Sequence, residues 1–147
     1  MGARHAARQL ALQALYALEM NPTAAPEAAI QGVWEERGAA QADREFFENA
    51  VRGTWRHRSE VDEAIQRCSR RWKLHRMDRI DKSVLRLAAH ELMHCPEVPA
   101  QVILNEAVEL AKEFGSPDSP AFVNGILDRI AQQCRAGELG QRGSAGG

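Results

Sequence analysis

Aromatic residues are scarce in this chain, with four Phe, three Trp and a single Tyr in 147 residues. β-Branched residues are few beside Ala, Leu, Glu, Arg and Gln, and no segment alternates apolar with polar residues, so no strand candidate survives. Cysteine is limited to Cys68, Cys95 and Cys134, an odd number without a C-x-x-C pair. That excludes a disulfide framework and fits free thiols in a reducing cytosol. No apolar run approaches the roughly 18 residues of a membrane span. Net charge is nearly absent at −1, which excludes a uniformly basic coat for nucleic acid. A Gly-rich phosphate loop and a Ser-His-Asp order are missing as well.

What remains is a chain rich in helix formers, 44% hydrophobic and 27% charged, long enough to bury a core without metal or disulfides. Residues 3 to 20 carry Ala7, Leu10, Ala11, Ala14, Leu15 and Leu18 at helical spacing. This segment holds Arg4 and Arg8 and no acid before residue 19, superficially like a transit peptide, but its apolar stripe reads as a core face. Asn21-Pro22 ends the first helix. Pro26 opens a second that stops at Gly38, and Asp43 is the expected N-cap of a long helical region from Arg44 to Arg71, interrupted at Gly53 or Ser59. Three more helices are expected: 78 to 94, one with Pro99 in its first turn and Gly115 at its stop, and one from Ser119-Pro120 to Cys134. The expected fold is all-α, six to seven helices packed on one another in a single domain over residues 1–135. Residues 136–147 hold five glycines and are expected to form a disordered tail.

The sharpest literal motif is His90-Glu91-Leu92-Met93-His94, which spells the H-E-x-x-H of zinc metalloproteases. Histidines at i and i+4 share a helix face and can bind zinc, with the Glu as general base. A protease also needs a substrate cleft, commonly at a sheet edge, and His94 ends its helix two residues before Pro96. Two half-exposed histidines and a salt-bridged Glu are the plainer expectation. None of the three cysteines has a base at a spacing that makes a nucleophile. No catalytic set, metal or cofactor is expected.

The first helix is more informative. At about 100° per residue, Arg4, His5, Arg8, Gln9, Leu12, Gln13 and Tyr16 fan over the side away from the apolar stripe. Guanidinium groups contact phosphate and a tyrosine offers a stacking platform for unpaired bases, so this face is a candidate RNA surface; an ordinary solvated face is the alternative. A second basic feature is the run Arg67, Arg70, Arg71, Lys73, Arg76 and Arg79. It lies between Arg52 and Lys82, where basic residues outnumber acidic ones by ten to five.

Taken as a whole the chain resembles the NusB family. The resemblance begins with Arg4-x-x-x-Arg8 and Ala11-Leu12-Gln13-Ala14-Leu15-Tyr16 and continues through Met77-Asp78-Arg79-Ile80-Asp81-Lys82-Ser83-Val84-Leu85-Arg86 and Glu91-Leu92. It is strongest in Val98-Pro99, Asn105-Glu106-Ala107-Val108-Glu109-Leu110-Ala111-Lys112 and Phe122-Val123-Asn124-Gly125-Ile126-Leu127-Asp128. These blocks stand in family order over residues 4 to 132. The resemblance implies two packed helical subdomains and a cytoplasmic, non-enzymatic transcription antitermination factor. It implies binding of single-stranded boxA RNA from ribosomal RNA operon leaders, together with the small-subunit ribosomal protein NusE, within the RNA polymerase antitermination complex. Implied RNA contacts are Arg4, His5, Arg8, Gln13, Tyr16, Asp118 and Phe122; Asp81 is the implied NusE contact, and a homodimer is a further expectation. The same helical domain also resembles the N-terminal part of some ribosomal RNA cytosine methyltransferases, for whose cofactor domain 147 residues leave no room. A helical adaptor that binds protein only is the remaining alternative.

Overall fold

The computed structural model describes residues 2–138, and every regular element among them is helical. Seven α-helices run in chain order: α1 (Ala3–Met20), α2 (Pro26–Arg37), α3 (Arg44–Arg56), α4 (Arg58–Cys68), α5 (Arg79–His94), α6 (Ala100–Phe114) and α7 (Ser119–Cys134). A three-residue 3-10 turn, Leu74–Arg76, lies between α4 and α5 and makes eight helical elements, one more than the upper sequence-based count. Three residues are too few to show a periodic stripe, so nothing in the pattern marks that turn. The chain divides after Arg58 into two compact units.

In the first unit α1 packs on α2 and α3. All six stripe residues of α1 are buried, so the Ala-rich face that predicts the helix is also the face that packs. Pro26 stands in the first turn of α2, where its missing N–H costs nothing. At the far end Gly38 is obligatory, because a Cβ there would collide with the Trp34 carbonyl and indole. Asp43 caps α3 as expected, accepting from the Phe46 N–H at 3.0 Å. The break expected at Gly53 or Ser59 falls at His57 instead, and α4 ends at Cys68 rather than Arg71.

In the second unit α5, α6 and α7 pack pairwise. Asp78 caps α5, with one carboxylate oxygen accepting from Ile80 N at 2.8 Å and Asp81 N at 3.4 Å. Every α5 residue from Lys82 to Leu92 is buried. Arg86 sits among them and donates two hydrogen bonds to Asp62 on α4, at 2.7 and 2.8 Å. Beyond α7, Arg135 is 7% exposed and donates to the main-chain carbonyls of Glu91, Leu92, Cys95 and Val98 at 2.8–3.2 Å. These oxygens belong to the end of α5 and the turn after it; Glu91 O also accepts from Cys95 N and Cys95 O from Val98 N, so Arg135 adds a second donor to those two and caps the Leu92 and Val98 carbonyls. Arg135 also pairs with Glu138, whose other oxygen accepts from Ala100 N at the start of α6. Residues 136–138, counted from sequence with the tail, thus continue in helical geometry; the rest of that expected tail, 139–147, lies outside the described residues. Among the described residues no helix is long and apolar enough to cross a membrane.

Candidate nucleic-acid interface

The polar fan on α1 is less open than its wheel implies. Arg4 stays exposed, but Arg8 is only 3% exposed and Leu12 is buried too; His5, Gln13 and Tyr16 are half-buried. A helical wheel records which side is polar, not which neighbour covers it. Phe46 of α3 is one such neighbour, and the guanidinium carbons of Arg4 and Arg8 each stand 4.8 Å from the centre of its ring. The attraction of a cation for an aromatic face holds both groups there. Arg4 also reaches within 4.0 Å of the Asp43 carboxylate. Both candidate phosphate-binding arginines therefore rest on one aromatic ring that sequence reasoning did not single out. Phe46 lies on another helix, beyond the reach of any pattern in α1.

In the second unit the structure brings Asp81, Asp118 and Phe122 to one pocket of about 310 Å³, together with Trp72, Arg76 and Asp78. Asp118 is exposed and makes no side-chain cap to α7, so its carboxylate is not spent on the helix end. Asp81 is half-buried, and its Oδ1 has no hydrogen-bond partner. Burial pushes its carboxyl above the usual range and Asp78 adds to the rise, while a hydrogen bond with Ser119 opposes them. Across Trp72 and Phe122 from this acidic pocket lies a groove of about 470 Å³ with Arg70, Arg71 and Arg129 in its walls. Trp72 was overlooked in the sequence although it interrupts the basic run, and an aromatic among arginines is itself a signal.

The H-E-x-x-H residues are taken up by packing and pairing. His90 and Glu91 are buried rather than half-exposed, because this face of α5 lies inside the packed unit. The His90 and His94 rings stack at 5.2 Å, and His94 Nε2 stands 2.6 Å from Glu60. Among the described residues no three His, Cys, Asp or Glu are arranged to hold a metal ion. Burial raises the Cys68 and Cys134 thiols, the opposite of what a nucleophile needs.

The described residues form an all-helical framework that sets arginine, aromatic and carboxylate side chains on its open faces, chemistry suited to binding. The model of the NusB family matches residues 5–132, and the chain belongs to that family. Curated relatives include the transcription antitermination protein NusB of Sorangium cellulosum, 49% identical over 132 residues and covering 90% of this chain and 94% of the relative. That of Myxococcus xanthus is also 49% identical, over 89% of this chain and 96% of the relative. Among solved structures, NusB from T. maritima is 34% identical with a TM-score of 0.80, covering 90% of this chain and 93% of its own. A complex of the antitermination factors NusB and NusE with dsRNA contains a chain 25% identical to this one, with a TM-score of 0.80 over 88% of this chain and 96% of that one.

Proposed function

We propose that this protein is a cytoplasmic transcription antitermination factor of two packed helical subdomains. It binds boxA RNA of ribosomal RNA operon leaders jointly with NusE, within the RNA polymerase antitermination complex. The observation that carries this reading is membership of the NusB family, joined to the likeness to a NusB that is solved with NusE and RNA. Arg4 supplies an exposed charge for phosphate, and Arg8, set against the same Phe46 ring, adds to the positive potential there. His5, Gln13 and Tyr16 complete the α1 contact; Asp118 and Phe122 add contacts from the second unit. Titrating a labelled single-stranded boxA-type RNA, with and without NusE, tests this. Tighter binding with NusE is expected, with a log–log salt slope near −2 to −3 at about −0.7 per phosphate neutralised. Binding indifferent to salt, or to NusE, overturns it.

Asp81 is the proposed NusE contact. Its raised pKa means that ionisation opposes folding: the favourable contribution of the protonated form is complete below the unfolded-state pKa and is lost as pH rises through the folded value. A carboxylate placed where burial disfavours its charge fits recognition of a cationic side chain on a protein partner, which would favour that charge. Asp81→Asn should leave the melting temperature at pH 7 unchanged or higher, with the gain vanishing toward acid, while weakening NusE binding. Unaltered NusE affinity moves the interface elsewhere.

A further inference from the structure

We infer that Trp72 is the stacking platform of a nucleotide subsite on the second unit, taking one unpaired RNA base on its indole while Arg70, Arg71 and Arg129 meet the adjoining phosphates. This rests on the RNA-binding reading above and adds residues that it does not contain. Trp72 is 52% exposed, an unusual position for the largest apolar side chain, and the loop carrying it is not loose. Its carbonyl accepts from Ser69 Oγ at 2.7 Å and Gln66 Nε2 at 3.1 Å, and Gln66 Oε1 accepts from Leu74 N at 2.8 Å. The backbone from the Trp72 carbonyl to Leu74 is thereby fixed while the ring stays exposed.

The groove beside it, about 470 Å³, has three arginines and no acid among the described residues that line it. Its volume is that of a small-molecule site. Arg129 is itself positioned, donating to the Cys68 carbonyl at 2.8 Å. Aromatic face and guanidinium groups together match the two halves of a nucleotide, base and phosphate. Asp78 and Asp81 line a neighbouring pocket that shares Trp72 and Phe122 with the groove, and their charge disfavours phosphate there. The phosphates are therefore drawn to the arginines, which leaves Asp118 free to meet a base.

The test uses the full chain with a labelled single-stranded RNA, a double-stranded control and NusE. Trp72→Leu should weaken single-strand binding at least five-fold with the melting temperature and the salt slope unchanged, because stacking carries no charge. Trp72→Phe should restore most of the affinity, and duplex binding should not respond to either change. Arg71→Gln should instead make the salt slope shallower by about 0.7. Wild-type protein that binds RNA no better than Trp72→Leu does overturns this inference alone. Wild-type protein that binds no RNA, even with NusE, overturns the reading beneath it. Loss of NusE affinity with RNA affinity intact assigns the groove to a protein partner and overturns the subsite.

Discussion

Arg135→Ala is expected to lower the melting temperature by about 10 °C. The side chain donates to four main-chain carbonyls and one carboxylate, and it is almost wholly buried. Glu91 O keeps the Cys95 N–H and Cys95 O the Val98 N–H, so the loss falls on the Leu92 and Val98 carbonyls, at about 1–3 kcal/mol for each buried acceptor deprived of its donor, and a net loss near 3 kcal/mol follows. For a chain of this size about 3–4 °C of melting temperature corresponds to each kcal/mol. Arg135→Lys should rescue little, because a compact ammonium cannot span carbonyls from both the helix end and the following turn. Glu138→Gln should cost far less, since the Glu138 side chain is 43% exposed. Thermal melts of the three variants check this ranking; an Arg135→Ala protein as stable as wild type removes the clamp from the account.

Asp62→Ala should cost about 3 kcal/mol in urea unfolding, seen as a lower midpoint at unchanged slope. The Arg86 side chain is 9% exposed and Asp62 23%, so the two-pronged pair is largely shielded from water. Truncating the carboxylate takes the two-pronged acceptor away from a guanidinium in the packed second unit, and the desolvation no longer offset, rather than the worth of the pair, sets the size of the loss. The double change Asp62→Leu with Arg86→Met should therefore recover most of the stability. A double variant as unstable as Asp62→Ala contradicts that explanation.

Where hydrophobic periodicity and punctuation agree, the fold was legible. α1, α2 and α7 begin and end on the expected residues, each bounded by a proline, a glycine or a change of composition. The α3–α4 region was less so, because Gly53 and Ser59 are the conspicuous breakers while the chain turns at His57 between them. The candidate sites were legible by residue type and poorly legible by exposure. Asp81, assigned from sequence to a protein partner, lines the same pocket as Asp118 and Phe122, assigned to RNA, a grouping that no pattern in the sequence contains. Arg8 and Arg135 are charged side chains inside the protein, and what buries them lies on other helices or on carbonyls distant in sequence. A one-dimensional pattern contains no such neighbours. Trp72 could have been found from the arginines that flank it.

The shared ring of Phe46 bears on when side-chain freedom is lost. A free arginine carries about 2 kcal/mol of rotamer entropy, much of which must be surrendered by a guanidinium that grips a phosphate. Arg8 is already confined when the chain folds, and Arg4 is drawn toward the same ring. Part of that ordering belongs to folding rather than to capture, so an anion reaching this face finds charge that is already aimed. On the RNA-binding reading proposed above, stiffness thus offsets how few arginines α1 carries, Arg4 and Arg8 alone.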